Sequence, residues 1–243
     1  MELRDRVALV TGAGRRVGRA LAIALGRRGA SVAVHFGHSD REAQETVAQL
    51  QALGVRAEAF GADLTQADAP ATLVQSVARA FGRLDVLINS AAVMERTPFG
   101  TVDPAHWDRM LALNLRAPFF LCQAAAPWLR KDRGAIVNIA DLAAFETWPA
   151  YVPHGVSKSG ILYMTRALAS VLAPDVRVNA VAPGTVLLPE GWSETDERRL
   201  AETTPLRRTG SPEDVASAML FLLDSDYISG ETIVVDGGRL VRR

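Results

Sequence analysis

Two side chains that can handle protons, His154 and Lys158, stand four positions apart in the second half of the chain. On a helix this spacing puts both on the same face. An imidazole titrates at about pH 6.5, so a histidine donates a proton at neutral pH without help from a neighbouring ammonium. A carbonyl or imine that accepts a hydride needs such a donor. Tyr151 is a reserve donor, although Pro153 makes its helical register uncertain.

A glycine-rich stretch follows the first apolar run of the chain. It reads Thr11-Gly12-Ala13-Gly14-Arg15-Arg16-Val17-Gly18, and a small, apolar helix is predicted from Arg19 to Arg28. Such a turn lets the backbone approach a pyrophosphate, while the helix N-terminus offers free N–H groups and the positive end of a dipole. Because glycine clusters alone are weak signals, the prediction of a dinucleotide site depends on the position directly after a strand.

The end of the second apolar run bears on the choice between NAD and NADP. An acidic side chain there would bind the ribose hydroxyls and repel a 2′-phosphate. No carboxylate closes this run, whereas Arg15 and Arg16 lie in the turn and His35 and Ser39 add donors. We therefore predict NADP(H) as the cofactor. The alternative is that the two arginines are solvated surface charges.

The elements that position these residues follow from the apolar pattern. Short runs rich in valine, isoleucine and alanine lack polar alternation and are predicted as strands buried on both faces. Alternation of strand and helix predicts an α/β fold, a Rossmann-type, doubly wound, mainly parallel sheet with helices on both faces. The seven predicted strands are Val7–Val10, Ser31–Phe36, Arg56–Phe60, Leu84–Ile88, Ala135–Ile139, Val176–Val181 and Thr232–Val235.

No linker, low-complexity tract or repeat marks a second domain, so residues 1–243 are predicted to form one. The longest helical pattern runs from Pro104 to Lys131, and a kink is expected at Pro118, which removes one backbone hydrogen bond. The segment 185–204 is predicted to be a lid that excludes water. Trp192 in that lid and Trp148 offer flat walls for a ring substrate, although ordinary packing explains them equally well.

Composition narrows the class of partner. Lys plus Arg and Asp plus Glu both number 27, and no block of like charge favours nucleic acid or an anionic membrane, so a small-molecule substrate is expected. The single cysteine, Cys122, excludes an intramolecular disulfide and is predicted to be a buried apolar residue. The histidines show no metal-ligand spacing. Without a signal-peptide h-region or a membrane-length apolar run, a cytoplasmic protein is expected.

The order and spacing of several short motifs resemble the short-chain dehydrogenase/reductase family over essentially the whole chain. The glycine turn is joined by Asp63-Leu64, Asn89-Ser90-Ala91-Ala92, Asn114, Lys158, Pro183-Gly184 and the run Ser229-Gly230-Glu231-Thr232-Ile233-Val234-Val235-Asp236-Gly237-Gly238. Each motif is weak alone, but the set is highly specific. The resemblance implies that the Asp236-Gly237-Gly238 segment packs at a subunit interface, so a homotetramer or dimer is expected.

The resemblance also implies binding roles. Asp63 would bond the adenine amino group, Asn89 and Ala91 would line the adenosine side, and Pro183-Gly184 with Val186 would hold the nicotinamide carboxamide. The implied cofactor-binding set is Gly12, Arg15, Arg16, Val17, Gly18, His35, Ser39, Asp63, Leu64, Asn89, Ala91, Lys158, Pro183, Gly184 and Val186.

Within this family the proton donor is the tyrosine of a Tyr-x-x-x-Lys motif, and His154 stands in its place. Asp141 occupies the position of the usual catalytic serine, where the resemblance puts it across the site from His154, able to orient or recharge it. Lys158 would bind the nicotinamide ribose and supply positive charge, and Asn114 would hold a water in the proton relay. These roles are implied by the family.

Within the family, the sequence resembles the pteridine and dihydromonapterin reductases. Arg16 replaces the middle glycine of the usual turn, Asp141 replaces the serine, and the stretch 172–179 is alike. Those enzymes, however, place an aromatic residue just after the Asn89 motif, where this chain has Val93. Val93, Trp148, Tyr151 and Trp192 are the predicted substrate-binding residues, and pterins become one candidate among ketones, quinones and imines.

These observations predict an NADPH-dependent reductase of a C=O or C=N bond. Its catalytic residues would be His154, Lys158, Asp141 and Asn114. The alternative is a nucleotide-binding regulatory or sensor protein, in which His154 and Asp141 form an inert polar pair. The retained lysine favours the enzyme, and the lost tyrosine favours the alternative.

Overall fold

The computed structural model describes residues 1–187 and 193–241. In this part of the chain seven strands form one sheet: β1 Val7–Val10, β2 Ser31–Phe36, β3 Ala57–Gly61, β4 Val86–Asn89, β5 Ala135–Ile139, β6 Arg177–Pro183 and β7 Thr232–Val235. The strand order is β3-β2-β1-β4-β5-β6-β7, and every neighbouring pair is parallel. The predicted fold class is confirmed.

Helices cover both faces of the sheet. Within the described residues they are α1 Arg16–Arg27, α2 Asp40–Ala52, α3 Ala69–Phe81, α4 Pro104–Leu111, α5 Ala117–Leu129, α6 Val152–Leu172, α7 Glu194–Thr203 and α8 Pro212–Asp224. One core, which includes Leu25 and Met219, lies between the sheet and α1, α2 and α8. The second, which includes Leu73 and Leu121, lies between the sheet and α3, α5 and α6. Buried apolar side chains on both faces explain the continuous apolar strands.

The strand order reverses between β1 and β4, which pair with each other although β2 and β3 come between them in the chain. Open α/β sheets bind their ligands at such a switch point, outside the carboxyl ends of the strands. The segments that follow β1, β4, β5 and β6 therefore meet at one edge of the sheet.

The predicted helix from Pro104 to Lys131 is two helices joined by a π-helical turn, Ala112–Arg116. In this turn the N–H of Ala117 donates to the carbonyl of Ala112, five residues back. Pro118 follows directly, and because it has no N–H, the carbonyl four residues earlier loses its usual partner. The expected break thus lies one turn before the proline, and Asn114 lies inside it.

The bounds of four elements differ from expectation: β3, β4 and β6 lie one or two residues further along the chain, and α1 starts earlier. The first helix begins at Arg16, three residues before the predicted start at Arg19, because Arg15 is the extended residue at the N-cap position. The fourth strand begins at Val86 instead of Leu84. No helix in the described part of the chain has both the length and the apolar character needed to cross a bilayer.

Candidate active site

Two cavities open side by side at the carboxyl edge of the sheet, each of about 570 Å³. The first is lined by the turn after β1 and by segments that follow β2, β3 and β4. The second is lined by segments that follow β4, β5 and β6 and by the start of α6. The two cavities form one continuous groove because Arg16, Val17, Ser90, Ala92 and Val93 lie on the walls of both.

The glycine turn forms a cradle at the start of the first cavity. Gly12 has a φ of +66°, in the left-handed region that favours glycine. A Cβ on Gly18 would lie 2.1 Å from the carbonyl oxygen of Gly12, so no other residue fits there without movement. Arg15 makes no side-chain capping bond, which leaves the first N–H groups of α1 for a ligand. This cradle fits the pyrophosphate of a dinucleotide.

The His35 ring is buried between the turn and the end of β3. Its Nδ1 accepts the N–H of Gly12 at 3.2 Å, and its Nε2 lies 3.0 Å from the carbonyl of Ala62, to which it donates. Burial lowers the pKa of His35 to about 4, despite the Ala62 bond. Both ring nitrogens are occupied, so His35 positions the turn; this corrects the expectation that it adds a phosphate donor.

The wall beside the turn is rich in donors. Arg15, Arg16 and Ser39 all line the first cavity, as predicted, and the backbone of Arg16 has a φ of +53°. A left-handed conformation is strained for arginine but not for glycine. Glu42 lies on the same wall and was not predicted, because it lies in the first turn of α2 and not at the end of the strand.

Asp63 and Leu64 also lie on the wall of the first cavity. The Asp63 carboxylate accepts bonds from the side chain of Gln66 at 3.0 Å and from the hydroxyl and N–H of Thr65 at 2.7 and 3.0 Å. The bonds from Gln66 and Thr65 lower the pKa of Asp63. The group is therefore an ionised acceptor at neutral pH.

Two residues of the motif Asn89-Ser90-Ala91-Ala92 have different positions relative to the first cavity. Ala91 lies on the wall of the first cavity. The Asn89 side chain does not line it, since Asn89 is buried and its amide donates to the Asn138 side chain at 2.8 Å. The structure therefore brings Ala91 to the wall of the first cavity but keeps the Asn89 side chain away from it. Thr11 links the motif to the glycine turn, because its hydroxyl accepts the N–H groups of Ser90 and Ala91 at 2.9 and 3.0 Å.

His154 and Asp141 meet in the second cavity, as the resemblance implied. His154 lies in the first turn of α6, and Asp141 follows β5. The Nε2 of His154 is 3.6 Å from Oδ2 of Asp141, and the other carboxylate oxygen accepts the N–H of Ala143 at 2.8 Å. His154 is 2% exposed and Asp141 24%, so the carboxylate is the more accessible member of the pair.

The other edge of the His154 ring faces backbone. Its Nδ1 lies 3.3 Å from the carbonyl of Val93 and 3.5 Å from the amide nitrogen of Asn114. Only the carbonyl can accept a proton from that nitrogen, so the neutral ring carries its hydrogen on Nδ1. Nε2 has no hydrogen-bond partner in the described part of the chain and is the atom that gains or loses the proton.

Asn114 organises this corner through the backbone of Val93. Its Oδ1 accepts the N–H of Val93 at 2.9 Å, and its Nδ2 donates to the carbonyl of the same residue at 2.8 Å and to the Ser157 hydroxyl at 3.2 Å. Asn114 is 1% exposed. Its side chain thus fixes the segment that accepts the Nδ1 hydrogen of His154.

Lys158 lies one helical turn beyond His154 on the same cavity wall. Its ammonium donates to the carbonyl of Ile139 at 2.8 Å, and two of its three N–H groups have no acceptor among the described residues. Burial lowers the pKa of Lys158, and the charge of Asp141 opposes that shift. The carboxylate therefore helps to keep the ammonium charged.

The remaining predicted residues have mixed outcomes. Pro183, Gly184 and Val186 line the second cavity where β6 ends. Trp148 and Tyr151 also line it, and their rings meet edge to face at 6.1 Å. Tyr151 is the N-cap of α6 and stands before the helix itself. Val93 lines both cavities.

The predicted lid, 185–204, is described only in part. Thr185–Leu187 and Leu200 of α7 contribute to the second cavity. Trp192 lies outside the described residues. Among the described residues, His, Cys, Asp and Glu do not gather in groups that could hold a metal ion.

One charged residue of the second cavity was not predicted. Arg239 follows the last strand and lines the cavity, and its Nη2 lies 3.3 Å from Oε2 of Glu146. The same oxygen accepts the indole N–H of Trp148 at 2.9 Å. The position of Arg239 just beyond a parallel strand was the available signal, because the carboxyl ends of all such strands meet at one edge.

Comparison with known proteins agrees with this architecture. A family model described as enoyl-(acyl carrier protein) reductase matches residues 12–239. Versicolorin reductase 1 of Aspergillus parasiticus is 35% identical over 253 residues, covering 97% of each chain. The 3-oxoacyl-(acyl-carrier-protein) reductase FabG of Staphylococcus aureus is 33% identical over 237 residues, covering 95% of this chain and 96% of the relative.

Solved structures show the same overall arrangement. A Sinorhizobium meliloti protein assigned to the short-chain alcohol dehydrogenases superposes with a TM-score of 0.94 at 38% identity, covering 100% of this chain and 99% of that one. A Burkholderia xenovorans protein assigned to the short-chain dehydrogenase/reductases gives 0.92 at 28% identity, covering 98% and 99%. Since the family model and these relatives span almost the entire sequence, the chain belongs to the short-chain dehydrogenase/reductase family.

Proposed function

We propose that this chain is an NADPH-dependent reductase of a C=O or C=N bond, in which the pair formed by His154 and Asp141 supplies the proton. The observation that carries the proposal is the 3.6 Å contact between the two side chains, beside Lys158, on the wall of a cavity continuous with the cradle. A titratable pair next to a buried ammonium in a cleft is typical of a reaction centre.

The first cavity supports a dinucleotide with a 2′-phosphate. The cradle of Gly12 and Gly18 takes the pyrophosphate, and Arg15, Arg16 and Ser39 supply donors beside it. Glu42 partly offsets the two positive charges. When bound, NADPH supplies the hydride equivalent for the reduction.

The residues of the second cavity then have separate tasks. Lys158 offers to the ribose side of the cofactor the two N–H groups that have no acceptor among the described residues, and it places positive charge beside the reacting carbonyl. In its protonated form His154 keeps Nδ1–H on the Val93 carbonyl and carries the transferable proton on Nε2, next to Asp141. Because the carboxylate is the more exposed partner, the proton reaches the substrate oxygen at the Asp141 side of the pair. Asn114 holds the acceptor of Nδ1 in place.

A carbonyl is the substrate group that the reported relatives favour, since they are named as a versicolorin reductase and a 3-oxoacyl-(acyl-carrier-protein) reductase. Trp148 and Tyr151 add an aromatic wall suited to a ring. The likeness to pteridine reductases remains a proposal, and Val93 in place of an aromatic residue counts against it.

One observation favours the alternative of an NADP(H)-binding regulatory protein. The Nε2 of His154 is fully buried, which an inert polar pair would also explain. A His154→Phe variant separates the two functions. We expect it to bind NADPH like the parent but to lose turnover of aromatic quinones, ketones, dihydropterins and cyclic imines by at least 10²-fold.

The matched control is His106→Phe, which replaces a histidine of α4 that lines neither cavity. Equal turnover by the parent and His154→Phe would rule out this proton donor. An absence of turnover in the parent, with tight NADPH binding, would favour the regulatory protein.

We also propose that residues 1–243 act as one domain and assemble as a homotetramer or dimer. Large apolar side chains are exposed on α5 and α6, among them Phe119, Phe120 and Tyr163. Exposed apolar patches of this kind mark protein interfaces. Light scattering coupled to gel filtration tests the assembly, and a monomer at micromolar concentration would contradict it.

A further inference from the structure

The second cavity contains an arginine that the proposed proton transfer does not use. Arg239 begins a short 3₁₀ turn, Arg239–Val241, directly after the Gly237-Gly238 pair that follows β7. It lies on the same wall as Asp141, His154 and Lys158, although it is 81 residues from the nearest of them in sequence. Its side chain is 17% exposed.

The guanidinium of Arg239 is held in place but not saturated. Nη2 lies 3.3 Å from Glu146 and Nη1 lies 3.4 Å from the Thr185 hydroxyl, both longer than the 2.7–2.9 Å typical of charge-assisted bonds. Only two of its five N–H donors find acceptors among the described residues. The Arg239 side chain therefore has further N–H donors at the cavity wall to which no described residue bonds.

An aromatic wall lies beside the guanidinium. The Trp148 ring centre is 5.6 Å from the central carbon of Arg239, and Tyr151 packs edge-on against the same ring. Glu146 holds both neighbours, because one of its oxygens accepts the Trp148 N–H and pairs with Arg239. The result is a flat apolar surface with hydrogen-bond donors at its border.

The charge balance limits what these donors would bind. Glu146 neutralises the arginine, so the pair attracts a full negative charge only weakly. A neutral oxygen acceptor needs only a donor, and an unsaturated guanidinium provides one. A ring that lies on Trp148 would bring an oxygen on its border to Arg239, while its reducible carbonyl lies with His154 and Asp141.

We infer that Arg239 is a specificity-determining residue that selects ring substrates with a second oxygen acceptor, such as cyclic diones, over ketones with only the reducible oxygen. The inference rests on the proposed reductase function for its biological meaning. Binding, however, tests it independently of catalysis.

The test uses three neutral ligands built on one ring system: indan-1-one, 2,2-dimethylindane-1,3-dione and 2,2-diethylindane-1,3-dione. Calorimetry on the NADP⁺-loaded protein gives the affinity of each, for the parent and for Arg239→Met. We expect the parent to prefer at least one dione, and the variant to lose about tenfold to a hundredfold of affinity for that dione while binding indan-1-one as before. Any intrinsic difference between the ligands cancels when the two proteins are compared.

Two further variants guard against structural effects. Arg79→Met removes an exposed arginine on α3 that does not line this cavity, and should change nothing. Arg239→Lys keeps the charge but loses the planar set of donors, so it should recover only part of the dione affinity. Circular dichroism and NADP⁺ affinity report whether each variant is folded.

Equal loss for all three ligands, or an unchanged preference in Arg239→Met, would overturn the inference even if the parent is an active reductase. Conversely, a dione preference that depends on Arg239 supports it even if the parent turns over none of the ligands, in which case only the proposed function fails.

Discussion

The backbone N–H of Gly12 donates to Nδ1 of the buried His35 ring at 3.2 Å, so the phosphate cradle depends on an uncharged histidine. A protonated ring would turn an N–H toward the N–H of Gly12 and break this contact. The cradle and the protonation state of His35 are therefore linked.

The first prediction concerns acid stability. The pKa of His35 is about 4 in the folded protein against an ordinary value of 6.5, so between these values the unfolded chain binds the extra proton. Stability contributed by His35 is complete above pH 6.5 and is lost as pH falls toward 4, by about 3 kcal/mol. Urea unfolding at several pH values measures it.

A His35→Asn variant should flatten this part of the profile, because the amide oxygen can accept the Gly12 N–H but does not titrate. His38→Asn, at an exposed histidine, is the control and should follow the parent. If His35→Asn and the parent lose stability in parallel over this range, the linkage is absent.

The second prediction separates stability from cofactor choice at Arg16. Its φ of +53° costs an arginine about 1 kcal/mol that glycine avoids, so Arg16→Gly should keep or raise the free energy of unfolding. The same change removes a positive charge from the cavity wall. NADPH affinity should therefore fall about tenfold while NADH affinity stays the same.

Glu42→Gln is the opposite change on the same wall and should strengthen NADPH binding. Fluorescence titration with both dinucleotides measures these affinities. Equal weakening of NADH and NADPH in Arg16→Gly would mean that Arg16 shapes the turn and does not read the phosphate.

The third prediction concerns Asp141. Asn keeps the bond from the Ala143 N–H but removes the negative charge beside His154. Asp141→Asn should lower kcat by at least about 10²-fold with little change in NADPH affinity, because proton supply is lost and the cradle is not. Steady-state kinetics and cofactor titration check this; a change confined to KM would contradict it.

A double variant tests the pair as a unit. His154→Tyr with Asp141→Ser rebuilds the arrangement usual in the family. It should turn over substrate faster than either single variant, since a carboxylate beside a tyrosine opposes its ionisation. If the double variant instead loses activity by the sum of the free-energy losses of the two single variants, the residues act independently.

The fourth prediction concerns the buried cation of Lys158. Burial lowers its pKa, so the folded protein holds that proton less tightly than the unfolded chain, and this destabilising contribution fades as pH rises from the lowered pKa to the ordinary value. Lys158→Met should therefore be as stable as the parent or more stable at neutral pH, yet bind NADPH more weakly. Lower stability together with unchanged NADPH affinity would contradict the assigned role.

The sequence predicted the sheet well because the buried strands are uniformly apolar and alternate with helices. It also predicted the meeting of His154 and Asp141, although only through the family motifs. It could not predict the contact of Arg239 with Glu146, since the two residues are 93 positions apart and no periodic pattern links them. Asn89 shows a similar limit, because the direction of its side chain depends on the neighbouring Asn138.

The π-helical turn sets the rotation of α5 about its axis relative to α4. An α-helix advances 100° per residue, and a turn that closes over five residues contains one residue more than an α-turn needs. That extra residue brings Asn114 round to Val93 while the apolar side of α5 still faces the sheet. Removal of one residue from 112–116 would give a continuous helix with α4 and α5 out of step by about a quarter turn. A continuous helix in this segment could therefore either pack α5 on the core or keep the Asn114 side chain bonded to Val93 next to His154, but not both.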